Sequence, residues 1–283
     1  MRWVTWTADG DVRAGLLEGE EIVDLGHRPV VDWLAAGAAP DTMGRARVPL
    51  GDVKLLAPVP EPGKILGIGL NYAAHAAEST SFASLAGEGV QKWFNKQVTA
   101  ANGPDDPVIL PAVSDQLDYE AELVVVIGRE GRHVPAERAL EIVAGVACGS
   151  DYSVRDWQKA SPTMIMGKGF DTHAPFGPAI VTLDEMGSLD ALALRGYVNG
   201  ELRQEGHTGQ MIHAIPDQIA HLTAAFTLRP GDVIFTGTPA GVGAGFDPPK
   251  YLAPGDRFRV EIDGVGAMEN EIVAETRRTR IGP

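Results

Sequence analysis

The stretch "DYEAELVVVIG" (residues 118–128) constrains this chain more than any other. Its second half, "LVVVIG", is a continuous run of aliphatic and β-branched residues closed by a glycine, the pattern of a strand covered on both faces. Its first half sets Asp118, Glu120 and Glu122 two residues apart, and in a strand residues i, i+2 and i+4 point the same way. An uncompensated carboxylate is costly to bury, so such a group is paired, protonated or bound to a metal. A fold that accepts this strand must therefore supply partners for its acids. Asp118, nearest the turn, is expected to be the solvated member.

A third acid is available. Asp151 ends another apolar run, "GVACGS". Glu120, Glu122 and Asp151 together would offer three hard oxygen ligands, which suit Mg²⁺ or Mn²⁺, with Ca²⁺ also compatible, better than zinc or copper. By spacing alone E-x-E equally fits a solvated strand face, and it is the attached apolar run that tips the reading toward burial. In "GIGLNYAAHAAES", His75 and Glu78 lie three apart, on one face of a helical turn. They form a workable pair for taking a proton from water, though such pairs are also common on helix surfaces. Lys168, between glycines in "MIMGKGFDTHAPFGP", either snorkels to the surface or aims a charge into a pocket. "TGTPAGVGAGF" follows the strand "DVIF", and its glycines would let backbone N–H groups approach an anion, with the Thr238 hydroxyl beside them. It lacks the G-K-[ST] of a P-loop, and "GIG" does not complete a dinucleotide fingerprint. His173, His207, His213 and His221 show no metal-ligand spacing and read as structural or exposed.

The rest of the chain sets the frame. Its 283 residues, 44% hydrophobic and 22% charged, allow a sizeable core. Strand candidates outnumber helices and do not alternate with them, which argues against a doubly wound parallel sheet. Residues 1–60 read as a small β-rich N-terminal domain with a short helix at "VVDWLAAG", "APVPEPGK" (57–64) as a linker, and 61–283 as the larger, mostly β domain. Helices are expected at 136–145 and at 215–226, where Pro216 suits a first turn. Residues 73–91 read as a helical turn followed by a long excursion. The net charge of −14 argues against a nucleic-acid or anionic-membrane partner. It leaves room for an anionic substrate, because a bound cation reverses the field inside one pocket. A single cysteine, Cys148, excludes an intramolecular disulfide and a cysteine zinc site, and its apolar neighbours mark it as a buried, inert thiol. The N-terminus has no apolar signal region, and no run approaches the roughly 20 apolar residues of a membrane span, so a cytoplasmic protein is expected.

Six stretches in order, "GIGLNYAAHAAE", "DYEAELVVVIG", "GSDYSVRDWQ", "MGKGFDTHAPFGP", "VNGELRQEGHTGQMI" and "TGTPAGVGAG", resemble the fumarylacetoacetate hydrolase family, in its branch of acylpyruvate hydrolases and 2-oxo acid decarboxylases. The resemblance implies a strand-rich α+β fold, a mixed β-sandwich or roll with a small N-terminal β-rich domain, assembled as a homodimer. It implies that Glu120, Glu122 and Asp151 hold one Mg²⁺ or Mn²⁺, and that His75 and Glu78 are the catalytic pair on a closing segment. Lys168 matches the family's pocket lysine, while Gln158 and Thr238 match substrate-contacting positions and Arg155 neighbours them. The implied activity is metal-dependent hydrolysis of the C–C bond of a 2,4-diketo acid, with Glu78 activating water and Lys168 and the metal stabilising a pyruvate enolate. Decarboxylation of oxaloacetate or another 2-oxo acid is the alternative in the same pocket. Hydratase or isomerase chemistry, and a non-catalytic cation or acid binder, are further readings. The walls that select the acyl group are expected within 80–97 and 204–213, with Gly245 and Phe246.

Overall fold

The computed structural model describes residues 1–78, 89–279 and 281–282. The strand that sequence marks as covered on both faces is so: all seven residues of Ala121–Ile127 are buried. Leu123, Val125 and Ile127 enter one core, while Val124 and Val126 enter another. That is the period-two alternation of a strand with apolar layers on both sides.

Ala121–Ile127 lies inside a twelve-stranded mixed sheet, antiparallel to Val143–Ser150 on one side and to Val233–Phe235 on the other. Outside Val233–Phe235 come Ile65–Gly69, in parallel, and then Lys92–Lys96 at the sheet edge. On the opposite side follow Ala174–Thr182, Arg2–Ala8, Asp11–Glu18, Glu21–Gly26 and Arg47–Pro49. The N-terminal strands thus continue the main sheet through the pairs Arg2↔Val181 and Trp3↔Ile180. A second sheet of five strands, in the order Glu201–His207, Ala193–Val198, Arg257–Ile262, Gly266–Ala274, Val108–Leu110, packs on the first. Leu194, Phe258, Val260 and Met268 meet Leu123, Val125 and Val146 there. Each such side chain contributes about 1.5–3 kcal/mol by leaving water. The strand-rich α+β sandwich expected from sequence is the architecture observed. Cys148 is buried in this layer, donates to the Gly266 carbonyl at 3.2 Å, and has its thiol pushed up to about 12 by burial.

Helices are few. Val30–Ala36 ends at Gly37, whose φ of 65° is the left-handed conformation that glycine adopts without strain. Ile215–Ala225 carries Pro216 in its first turn and buries Ile215, Ile219 and Leu222. The helix expected over 136–145 is instead a 3-10 segment, Ala136–Ile142, followed directly by the strand Val143–Ser150. The β-branched Val143 and Val146 favour a strand. Gly145 admits the neighbouring strand so closely that a Cβ there would fall 2.2 Å from the Val181 carbonyl oxygen. The nine-residue strand Ala174–Thr182 escaped the sequence reading because Pro175 and Pro178 cannot donate to a ladder, which masks a strand pattern. No helix among the described residues is long and apolar enough to cross a membrane.

Candidate active site

The antiparallel register Ala121↔Ser150 brings the start of one buried strand to the end of another, so the acids flanking them meet. The Asp151 N–H donates to the Glu120 carbonyl at 3.0 Å. Glu120, Glu122 and Asp151 each place a carboxylate oxygen within 4.8 Å of the others, and all three residues are buried.

The expectation that Asp118, Glu120 and Glu122 share one face of one strand needs correction. Leu117–Asp118 forms its own short ladder with Ser153–Val154, and only Glu122 belongs to the long strand. Asp118 is not solvated. It is fully buried, paired with Arg155 Nε at 2.8 Å, and accepts the N–H groups of Gly243 (2.6 Å) and Ala244 (2.9 Å). The glycine-rich loop therefore spends these N–H groups on the protein's own acids. Gly237 donates to Glu122 at 2.7 Å, and Gly241 to both oxygens of Glu78 at 3.0 and 3.2 Å.

The cations around the triad are buried too. Lys168 is the pocket lysine of the two readings: its Nζ lies 2.8 Å from Glu120 Oε2 and 2.5 Å from Asp151 Oδ2, above the Phe94 ring. Arg155 bridges Asp118 and Glu120, the latter at 2.7 Å; burial works against its charge, and these two acids outweigh burial and raise its pKa. Lys96, which sequence reasoning missed, is fully buried, pairs with Asp151 and donates to the Tyr152 carbonyl at 3.0 Å. The alternation of "KWFNK", within the 80–97 stretch expected to supply a wall, sets Lys92, Phe94 and Lys96 on one face, and that face is the one turned to the site.

A charge count shows what the cluster lacks. Asp118, Glu120, Glu122 and Asp151 are four acids; Arg155, Lys96 and Lys168 are three cations, leaving one negative charge in excess. The excess falls on Glu122, whose hydrogen bond comes from the Gly237 N–H and not from a cation. Burial, then Asp151, then Glu120 push its carboxyl well above the usual carboxylate range. On Glu120 burial acts the same way, but Lys168 and Arg155 outweigh it and hold that carboxyl below the usual range. An all-oxygen triad short of positive charge fits a hard divalent cation. Bound there with all four acids ionised, it would leave the cluster at +1, a field that favours an anionic substrate.

His75 and Glu78 sit on the short helix Ala73–Glu78, with His75 Nδ1 3.2 Å from Glu78 Oε2. Asn71 anchors the approach to this helix: its amide donates to the Thr236 and His213 carbonyls at 2.8 and 3.1 Å and accepts the His213 N–H at 2.8 Å. Gly245 makes room for the Glu78 carboxylate, since a Cβ there would lie 2.1 Å from Oε1. Gln158 Oε1 accepts from Arg155 at 3.0 Å. The Thr238 hydroxyl donates to the Ala121 carbonyl at 2.8 Å and accepts from Gln204, another residue sequence reasoning passed over, at 2.7 Å. A hydroxyl has one hydrogen, so donation from Thr238 to a substrate requires it to rotate away from Ala121.

Eight of the nine residues singled out from sequence line one cavity; the ninth, Asp151, is fully buried against Lys168 and Lys96. Lys92, Phe94 and Gly245 complete part of its wall. Among the described residues, the segment 204–213 and Phe246 do not line it, because Gln204 lies behind Thr238. The expected closing segment 73–91 is described up to Glu78 and from Gly89 on, so its middle lies outside the described residues.

Residues 64–273 match the family model "Fumarylacetoacetate (FAA) hydrolase C-terminal", and residues 1–58 match "Rv2993c-like, N-terminal". The oxaloacetate tautomerase YisK of Bacillus subtilis is 39% identical over 267 residues, covering 94% of this chain and 87% of that protein. The solved fumarylacetoacetate hydrolase of Exiguobacterium antarcticum superposes with a TM-score of 0.87 at 36% identity, over 97% of this chain and 100% of that one. The maleylpyruvate hydrolase of Sphingobium sp. SYK-6, solved with manganese(II) and pyruvate, superposes with a TM-score of 0.81 at 34% identity, over 98% and 100%. With the fold, the buried acid triad and the His–Glu pair in place, this chain belongs to the fumarylacetoacetate hydrolase family.

Proposed function

We propose that this chain is a divalent-metal-dependent enzyme acting on a small 2-oxo acid, and that the step its site serves is proton transfer at the carbon beside the 2-oxo group. Keto–enol interconversion of oxaloacetate is the first reaction to test. The observation that carries the reading is the convergence, in one cavity, of a buried three-carboxylate cluster with a held His75–Glu78 pair. The name of the Bacillus subtilis relative points to oxaloacetate.

A divalent cation held by Glu120, Glu122 and Asp151 would supply positive charge for the negative charge that develops on the 2-oxo group. The chain's own residues do the rest. Glu78, oriented by His75 and the Gly241 N–H, takes a proton from C3. The C–H electron pair becomes the C2=C3 bond as the C2=O π pair moves onto oxygen; water protonates that oxygen to give the enol, and Glu78 returns its proton to water. Lys168, fixed by Glu120 and Asp151, adds a positive charge that needs no reorganisation. Preorganised donors of this kind are worth about 3–4 kcal/mol each. Gln158 Nε2 donates to the Met164 sulfur at 3.6 Å and has a second hydrogen to offer a substrate oxygen.

The second reading is C–C hydrolysis of a 2,4-diketo acid, favoured by the same His75–Glu78 pair and by the likeness to maleylpyruvate hydrolase. There Glu78 takes its proton from water, hydroxide attacks the 4-carbonyl, and the C3–C4 bond breaks to leave the pyruvate enolate. Loss of CO₂ from oxaloacetate reaches that enolate without the hydrolytic water. We further propose a homodimer, a cytoplasmic setting, and a division into a small N-terminal domain (1–60) and a catalytic domain (61–283). The enzyme question is decided by following enol absorbance of oxaloacetate and pyruvate release from oxaloacetate and acetylpyruvate, on metal-stripped protein with and without Mg²⁺ or Mn²⁺. Metal-dependent enol equilibration without pyruvate release supports tautomerisation. Pyruvate from acetylpyruvate supports hydrolysis, pyruvate from oxaloacetate supports decarboxylation, and no metal-dependent change in any arm contradicts the proposal.

A further inference from the structure

Lys92 is a cation that the cluster around the triad does not use. It stands on the sheet-edge strand Lys92–Lys96, on the same face as Phe94 and Lys96. Lys96 reaches Asp151, and Phe94 lies under the Lys168 ammonium, so this strand runs outward along the cavity from the triad. At ~3.3 Å per residue, Lys92 stands about 13 Å up the strand from Lys96, on the outer part of the wall. Lys92 lines the same cavity as His75 and Glu78. Its Nζ is closed off from solvent and has no hydrogen-bond partner among the described residues.

An ammonium withheld from water without an acid beside it is unfavourable, and here it occurs in a chain with 38 acids for 24 lysines and arginines. Acid partners are plentiful elsewhere: every other cation at the cavity floor has one. Burial lowers the Lys92 pKa, and no opposing acid restores it. Lys159 adds a second, exposed ammonium to the lining, from the helix Arg155–Ala160. The one acid on the lining outside the triad is Glu78, which His75 and Gly241 already engage. The outer half of the cavity is thus positive, while the inner half becomes positive once a divalent cation is bound. A ligand with one negative end matches only the inner half.

We propose that Lys92 is a specificity-determining residue that receives the second, distal carboxylate of a dianionic 2-oxo acid, with Lys159, on the same lining, assisting. The proposal rests on the reading that the triad end of the cavity binds a 2-oxo acid. It selects, within that class, acids that carry a carboxylate at each end over those with an apolar tail. A charge-assisted hydrogen bond at a desolvated site corresponds to about a 10- to 100-fold preference.

The test is binding to the Mg²⁺-loaded protein, measured calorimetrically with pyruvate as the monoanionic probe and with oxaloacetate and 2-oxoglutarate as dianionic ones, in wild type, Lys92→Met and Lys92→Arg. Methionine keeps the unbranched side chain, one atom shorter, without its charge, and removal of a desolvated charge does not endanger the fold; melting curves of each variant check this. The expected result is that at least one dianion binds about 10-fold or more tighter than pyruvate in wild type. Lys92→Met abolishes that margin with pyruvate affinity kept, and Lys92→Arg restores most of it. Equal affinity for pyruvate and both dianions in wild type, or a margin that survives Lys92→Met, overturns the Lys92 proposal and leaves the 2-oxo acid reading standing. Failure of all three probes to bind the metal-loaded protein overturns the 2-oxo acid reading, and the Lys92 proposal falls with it.

Discussion

Glu122→Gln is the perturbation that most sharply separates a metal centre from a salt-bridge cluster. Glu122 and its two neighbours keep ligand oxygens within 4.8 Å of one another. At that separation and an effective dielectric of about 20, each carboxylate pair repels by roughly 3.5 kcal/mol. Asp151 and Glu120 repel Glu122 and Lys168 attracts it, so about one such repulsion is left, on top of the burial that comes first among the causes of its raised pKa. The metal-free protein has an escape: Glu122 takes up a proton. From an ordinary value of 4.5 that costs about 3.4 kcal/mol at pH 7, at about 1.36 kcal/mol per unit. The smaller of the two costs, roughly 3 kcal/mol, is what glutamine removes. Stripped Glu122→Gln should therefore melt about 6–12 °C above stripped wild type, at 2–4 °C per kcal/mol. A carboxyl with a raised folded pKa makes stability fall as pH rises above its unfolded value, so the gap should widen from about pH 5 to pH 7. Mg²⁺ at 100 times its Kd should add about 2.7 kcal/mol to wild type and little to the variant. Scanning calorimetry of both proteins in EDTA and in Mg²⁺ reads all four values. A stripped variant that melts below wild type, or an equal Mg²⁺ shift in both, would refute the charge argument.

Other predictions follow from neighbouring contacts. Glu78→Gln should keep the Mg²⁺-induced rise in melting temperature and lose turnover by about 10²–10⁴-fold, the usual range for a lost general base. Gly245→Ala should fold and bind metal while turnover drops, because its Cβ would lie 2.1 Å from Glu78 Oε1 and must displace that carboxylate; an unchanged rate contradicts the placement of Glu78. Burial pushes His173 down to about 3, against the support of its hydrogen bond to the Ile109 carbonyl. The unfolded chain therefore takes up that proton first. The contribution is fully present above about pH 6.5 and is lost as pH falls toward 3, with a slope of up to about 1.4 kcal/mol per unit. Urea unfolding from pH 7 to pH 4 should show a flatter pH dependence in His173→Asn than in wild type.

What the sequence made legible was the part that depends on local pattern. A run such as "LVVVIG" has few ways to be satisfied other than as a doubly covered strand, and Val124 and Leu123 do face different cores. The acids gathered because a buried carboxylate demands partners, and Glu120, Glu122 and Asp151 do meet. The partners themselves were not legible. Lys96 lies 55 residues from Asp151 in sequence, and only the sheet order brings it to that acid. Asp118 was misplaced because the ladder breaks between it and the long strand, a break set by pairing with Ser153–Val154 and invisible to period-two counting. The 136–145 helix failed for the opposite reason. An apolar spacing that fits a helix was overruled at Gly145 by the close approach of Val181.

The measurement that tests the central claim most directly is a crystal structure of the protein grown with Mn²⁺ and pyruvate, using the anomalous signal of manganese. The account predicts one anomalous peak between the carboxylates of Glu120, Glu122 and Asp151, with pyruvate beside it and facing Glu78. A triad without manganese, with Lys168 alone bridging Glu120 and Asp151 and the metal elsewhere or nowhere, would contradict it.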